Sequence, residues 1–114
     1  MSDQRFIIEM GTGNDQFGMD YTKAAVRAID DAIWHSSIPL FSATGLSHDA
    51  MRVQVTIGVA EPDKLDLERI ADHLPRGRTT IQAVEGGLNV VNPDSGNTLV
   101  IATAAVEAFL PKQA

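Results

Sequence analysis

The sequence predicts an α/β protein of two layers, an α+β arrangement in which a mixed four-stranded sheet carries two helices on one face. Three observations predict it. Residues 51–59 alternate between apolar and polar side chains, which is typical of a strand. Two stretches, residues 21–35 and 67–74, repeat apolar residues at helical spacing. A C-terminal apolar run, residues 99–102, occupies both faces of a strand and indicates a central position in the sheet. The predicted element order is β-α-β-α-β-β.

The first half of the chain contains a strand, a glycine-rich loop and a helix. Residues 5–10 are rich in β-forming side chains and predict a first strand that ends at Gly11. A helix follows from about residue 21 to 35, and Asp20 is its expected N-cap because a carboxylate can accept a bond from a first-turn N–H. Residues 36–50 contain proline and glycine and predict a long irregular connection.

The second half begins with the alternating strand of residues 51–59. A second helix is expected within residues 61–77, with Asp63 or Asp66 as its N-cap and Pro75 and Gly77 at its end. Residues 78–85 predict the third strand, and residues 86–97 a short extension and then a turn. The final strand begins near residue 99, and the alanine content of residues 102–108 leaves room for a helical tail.

Composition excludes several classes of function. The chain has 114 residues, which predicts a single domain over residues 1–114, and 44% of them are hydrophobic, enough for a core. A net charge of −6 argues against nucleic-acid binding, and the lack of cysteine excludes disulfides and thiol chemistry. No signal pattern and no apolar run of roughly 18–20 residues is present. We therefore expect a cytoplasmic protein that does not associate with membranes.

The stretch "MGTGNDQFGMDYTKAA", residues 10–25, is the strongest candidate for a site. A strand, glycines and a helix N-terminus together can present backbone N–H groups to an anion. Lys23 and Arg27 are like charges one turn apart, a small cost that an anionic ligand, or the chain's own Asp15 and Asp20, would offset. Neither a Walker nor a dinucleotide motif is complete, and a turn whose acids only cap the helix remains an alternative.

This stretch also carries a resemblance. "GTGNDQFG", residues 11–18, closely resembles the Gly-x-Gly-x-Asp-x-His-Gly hallmark of a small conserved-hypothetical family of bacteria and plants. "DYTKAAVRAIDDAI", "SIP" and "TAAVEAF" are also similar, so the likeness covers nearly the whole chain. The resemblance marks Gly11, Gly13, Asp15 and Gly18 as site residues, whereas Phe17 stands where the family has His. It implies a site without naming a reaction, because the family has no assigned one.

The element order is also similar to the chorismate-mutase-like fold, which is shared by small trimeric enamine deaminases and, as tandem copies, by ring-opening amidohydrolases. In that fold the last strand lies centrally, and the sites lie between subunits or between repeated units. The similarity therefore implies a homo-oligomer, with a trimer as the expected assembly. It is a likeness of topology and assigns no functional residues.

Two further residues could carry acid–base chemistry. His48 lies beside Asp49 in the long connection, and Glu85 lies at a strand end before two glycines; a bulge or turn with an exposed acid is the alternative for Glu85. The three histidines are too scattered to suggest a metal site, and we expect no cofactor.

The sequence therefore predicts a homo-oligomer that binds a small anionic or polar metabolite at a subunit interface. The expected ligand-binding residues are Gly11, Gly13, Gly18, Lys23 and Arg27. An enzyme would use Asp15 for acid–base chemistry on an amide, imine or enol-type substrate, with the glycine amides as an oxyanion site. A non-catalytic ligand-binding or regulatory subunit, which Phe17 favours, and a structural assembly module are the alternatives.

Overall fold

A computed structural model describes residues 3–34, 52–74 and 78–111. Along the chain these residues form two α-helices, one short 3₁₀ helix (Pro62–Lys64) and five strands. The elements are β1 (Asp3–Asp15), α1 (Tyr21–Trp34), β2 (Arg52–Val59), α2 (Leu67–His73), β3 (Arg78–Glu85), β4 (Leu88–Val91) and β5 (Thr98–Pro111). The architecture is α+β with a mixed sheet, as the sequence predicts, but the sheet has five strands instead of four.

The strand order is β1-β5-β2-β3, with β4 paired to β5 outside this path. Strands β2 and β3 are parallel, and every pairing of β5 is antiparallel. Ile101 of β5 has Asn14 of β1 on one side and Leu88 of β4 on the other, so β4 lies on the same edge of β5 as β2. The central position predicted for the last strand is confirmed.

One predicted boundary is wrong, and one alternative left open for the last strand is not realised, for the same physical reason. Strand β1 does not end at Gly11 but continues to Asp15, and β5 continues to Pro111 without the helical tail that its alanines left open. Gly11 pairs with Ala104, and Gly13 pairs with Ala102. Glycine and alanine have low strand propensity, but here small residues are needed because a helix packs directly over them. Tertiary packing overrides local preference at both places.

The core lies between the sheet and the two helices, which cover the same face. Helix α1 contributes mainly alanines, and α2 contributes Ile70, which is fully buried. The sheet contributes alternate residues of its central strands, among them Val53, Val55, Ile57, Val100, Val106 and Ala108. The opposite face of the sheet is not covered by any element within the described ranges. Met10 on that face is 70% exposed.

The helix starts follow the predicted capping chemistry. Asp20 Oδ1 accepts a hydrogen bond from the Lys23 amide at 3.0 Å, and Asp66 Oδ1 accepts one from the Arg69 amide at 3.1 Å. These bonds satisfy amides that have no partner within the first turn. Of the two candidates for the α2 cap, Asp66 is therefore correct. Neither described helix has the length and apolar composition needed to cross a membrane.

Candidate functional site

The two glycines at the centre of the predicted site admit helix α1 to the sheet. A Cβ atom on Gly11 would overlap the backbone of Ala28 and Ala32, and one on Gly13 would overlap the backbone of Ala24 and Ala28. Both glycines are buried within strand β1. The two glycines of β1 therefore pack against a face of α1 that has alanine at every fourth position. The backbones of β1 and α1 are in direct contact there. The prediction that a glycine loop begins at Gly11 is wrong.

Asp15 follows on the same face of β1, and its side chain lies at the start of α1. The side chain is only 7% exposed. Its Oδ2 atom accepts hydrogen bonds from the amides of Asp20 at 2.9 Å and Gly18 at 3.2 Å. A position where an anionic ligand was expected, close to loop amides and the positive end of the helix, is thus taken by the chain's own carboxylate.

Lys23 and Arg27 lie beside the other oxygen of this carboxylate. Lys23 Nζ is 3.7 Å and Arg27 NH1 is 4.0 Å from Asp15 Oδ1. These distances are ionic contacts and are too long for hydrogen bonds. Arg27 NH1 also donates to the Asn14 carbonyl at 2.6 Å. Both cationic side chains are about half exposed, at 48% and 49%, so they keep N–H groups for a further acceptor.

The loop between β1 and α1 completes an open cleft of about 570 Å³. Its walls are formed by Asn14, Asp15, Gln16, Phe17, Gly18, Asp20, Lys23 and Arg27. Met19 in this loop has a φ of +50°, an uncommon conformation for a residue with a side chain. Strained backbone of this kind often occurs at functional sites. The cleft brings together Asp15, Gly18, Lys23 and Arg27 from the predicted set.

The other predicted residues lie elsewhere. Gly11 and Glu85 border a separate groove of about 590 Å³, lined largely by residues of the helix-free sheet face. Gly86 and Gly87 follow Glu85 and connect β3 to β4. Gly87 has a φ of +62°, and a Cβ atom on it would overlap the Ile101 carbonyl, so glycine is required at this position. Glu85 is exposed at the end of β3, and its part in acid–base chemistry stays a prediction. His48 lies outside the described residues.

A hydroxyl network next to the cleft was not predicted. Tyr21, 3% exposed, donates to Glu61 Oε2 at 2.9 Å and accepts from Asn89 Nδ2 at 2.8 Å. The hydrogen bond from Tyr21 is the main cause that lowers the pKa of Glu61 below its ordinary value of 4.5. Lys64, whose Nζ lies 3.2 Å from Glu61 Oε2, lowers this pKa as well. The only sequence signal was a tyrosine at the start of an amphipathic helix, which does not identify partners 40 and 68 positions away.

Two further charged side chains have ordinary structural partners. Glu107 lies on the helix-free face of the sheet and pairs with Arg5 at 3.2 Å. His73 Nε2 lies 2.6 Å from Asp30 Oδ1 and connects α2 to α1. Across the described ranges, no group of three or more histidine, aspartate or glutamate side chains is arranged to hold a metal ion.

Comparison with known proteins finds a similar solved structure and a matching family. A crystal structure described as that of an FtsZ-like protein of unknown function from Nostoc punctiforme is similar to this chain, with 36% sequence identity and a TM-score of 0.83. The similarity covers 98% of this chain and 99% of that one. None of the curated proteins compared with the chain matches it. A family model described as conserved hypothetical protein (Lin0512_fam) matches residues 5–108, and the chain therefore belongs to this family.

Proposed function

We propose that this protein binds a small anionic metabolite in the cleft between the end of β1 and the first turns of α1. The proposal is supported chiefly by two half-exposed cations, Lys23 and Arg27, on one wall of a cleft in a chain whose net charge is −6. In an acidic protein, two adjacent cations one helical turn apart repel each other slightly. A bound anion would relieve this repulsion and would occupy the N–H groups that Asp15 leaves unused.

The charges around the cleft favour a ligand with one negative charge. Asp15 is compensated by Lys23 and Arg27, and Asp20 has Arg69 of α2 at 3.7 Å. Three cations therefore contact two carboxylates within this set, which leaves a local excess of one positive charge. A monoanion such as a carboxylate would balance this excess, whereas a dianion would exceed it.

The contacts of Asp15 favour binding over catalysis. A general base must present a free lone pair to its substrate. Here one carboxylate oxygen accepts two amide hydrogens and the other faces two cations. In this arrangement Asp15 orients the loop and the two cations. Phe17, which stands where the resemblance of the sequence places a histidine, supplies no acid or base. Of the functions considered from the sequence, a ligand-binding or regulatory subunit fits these contacts best.

An NMR titration tests the anion site. Sodium acetate, added to the ¹⁵N-labelled protein at constant ionic strength, should shift the amide signals of Gly18, Lys23 and Arg27, whereas neutral acetamide should not. The variant Lys23→Gln, Arg27→Gln should lose at least about tenfold in acetate affinity, since it removes both charges. Lys23→Gln alone keeps one cation beside Asp15 and serves if the double variant unfolds.

Lys64→Gln is the matched control. This lysine is 56% exposed and pairs with an acid, Glu61, but lies outside the cleft. It should leave acetate binding unchanged. Equal acetate binding by the wild-type protein and the cleft variants would contradict the proposed site.

We also propose that the protein self-associates through the helix-free face of the sheet. Ile8, Met10 and Leu88 lie on this face and are 42%, 70% and 57% exposed. Large exposed apolar side chains on one face of a sheet are typical of interfaces. The similarity of the element order to the chorismate-mutase-like fold, whose small members form trimers, supports a second copy as the partner.

A further inference from the structure

A second cavity adjoins the cationic cleft and differs from it in chemistry. Its volume is about 660 Å³, and it lies between the loop after β1, strand β4 and the turn that follows β4. Its walls are formed by Gln16, Phe17, Val90, Val91, Asn92, Pro93, Ser95, Asn97 and Leu99. No ionisable side chain is among them, whereas four of the eight residues that line the cationic cleft are charged.

The two cavities share a wall. Gln16 and Phe17 border both of them. Phe17 is 83% exposed, and Val90 and Val91 are 43% and 60% exposed, so three apolar residues that line the cavity are not buried by the chain itself. Removing exposed apolar surface of this kind from water is favourable by roughly 25 cal/mol per Å², so a ligand that covers it gains affinity.

We propose that the ligand is a small aromatic carboxylate whose carboxylate lies against Lys23 and Arg27 and whose ring lies against Phe17, in the second cavity. This inference rests on the proposed function, because the cationic cleft fixes one end of the ligand. A carboxylate fits the single excess positive charge and the planar N–H groups of a guanidinium. An aromatic ring fits the other end because it can stack on the exposed Phe17 ring while it covers apolar surface of the cavity wall.

Benzoate and acetate distinguish the two parts of the site. Both carry one carboxylate, and only benzoate carries a ring. In ¹⁵N-labelled protein, benzoate should bind at least about tenfold more tightly than acetate, because its ring loses water contact on binding. Its titration should also shift the amides of Val90, Val91 and Leu99, which acetate leaves unchanged. Benzamide, which has the ring without the charge, should bind more weakly than benzoate.

The variant Phe17→Ala should reduce benzoate affinity to about that of acetate and leave acetate affinity unchanged. Leu67→Ala is the matched control, since Leu67 is 42% exposed on α2 and borders neither cavity. A Val90→Ser variant should weaken benzoate binding in the same direction as Phe17→Ala.

The outcomes separate this inference from the proposed function. If acetate and benzoate bind equally tightly and both depend on Lys23 and Arg27, the anion site stands and the aromatic one is overturned. If benzamide binds as tightly as benzoate, the cavity takes a neutral ring and the proposed link to the cations is overturned. If neither anion shifts the amides of Gly18 and Lys23, both proposals are overturned.

Discussion

At the scale of single residues, Gly11, Gly13 and Asp15 occupy alternate positions of one strand and have different tasks on the same face. The two glycines let the α1 backbone approach β1, and Asp15 binds the loop amides where the helix begins. The pattern that resembles a ligand-binding glycine loop is therefore in part a packing pattern. The spacing of two residues between Gly11, Gly13 and Asp15 is typical of one face of a strand. The alanines Ala24, Ala28 and Ala32 form the face of α1 that packs against the two glycines.

The substitution Gly13→Ala tests this packing role. The added methyl would meet the backbone atoms of Ala24 and Ala28, which cannot move without displacing the helix. Overpacking of this kind costs about 1–3 kcal/mol. Alanine would restrict the unfolded chain and return only about 0.4–1 kcal/mol. We expect a net loss of about 1–2 kcal/mol in the free energy of unfolding, measured by urea denaturation and circular dichroism.

Gly18→Ala is the control for this prediction. Its Cβ would lie 3.3 Å from Asp15 Oδ2, and the exposed loop that carries Gly18 can relieve this contact by a shift of a few tenths of an ångström. The free energy of unfolding should therefore change by less than about 0.5 kcal/mol. An equal or larger effect at Gly18 than at Gly13 would show that close backbone contact is not the reason for the glycine.

At the scale of elements, the sequence predicts well where side-chain period and local capping agree. Strand β3 has the predicted bounds, β2 lies within the predicted range, and Asp20 and Asp66 cap the helices as expected. The extent of β1 and β5 could not be predicted from local preference, because glycine and alanine are chosen there for contact with a distant helix. Strand β4 was expected only as a short extension, since four residues give too little alternation to identify a strand.

The Tyr21 hydroxyl of α1 bonds both to Glu61, in the connection after β2, and to Asn89 of β4, and Tyr21→Phe should break both bonds. The substitution removes the acceptor of Asn89 Nδ2, whose own Oδ1 is already buried without a partner among the described residues. A lost hydrogen bond at a buried group costs about 1 kcal/mol of stability. Amide hydrogen exchange in β4 should increase more than exchange in β2, since β4 is held to α1 by this bond.

The Glu61 side of the same network predicts a pH dependence. The bond from Tyr21 and the nearby Lys64 lower the pKa of Glu61 in the folded protein. A lowered folded-state pKa stabilises the fold above the ordinary value of 4.5, and this stabilisation is lost as the pH falls through the lowered value. The stability difference between wild type and Tyr21→Phe should therefore be smaller at about pH 3 than at about pH 7.

Glu61→Gln provides the control for this pH effect. Glutamine can accept the Tyr21 hydrogen bond but does not titrate, so the stability of this variant should depend less on pH below about pH 5 than that of the wild type. A stability difference between wild type and Tyr21→Phe that is the same at both pH values would show that Glu61 does not contribute through its charge.

At the scale of the whole molecule, the sequence was enough to group the residues that line the cationic cleft, but it did not predict the second cavity beside it. Asp15, Gly18, Lys23 and Arg27 are close in sequence, so helical spacing and loop position were enough to group them. The second cavity needs β4 and the start of β5, more than 70 positions away in the chain, and Gln16 and Phe17 are the described residues that border both cavities. Contacts across such separations depend on strand order, which a single sequence leaves open.

The distribution of exposed apolar residues over the molecule leads to the last prediction, which concerns assembly. Helices cover one face of the sheet, and the opposite face presents Met10 with 70% of its surface exposed.

In a self-associating protein, light scattering after size-exclusion chromatography should give a multiple of the mass of one chain. Met10→Glu should place a charge in the contact and reduce this mass at the same concentration, since an unpaired buried charge costs several kcal/mol. Leu67→Glu, at a position of α2 that is 42% exposed, should leave the mass unchanged. A wild-type chain that stays monomeric at high concentration, or a Met10→Glu variant of unaltered mass, would mean that this face is directed to solvent.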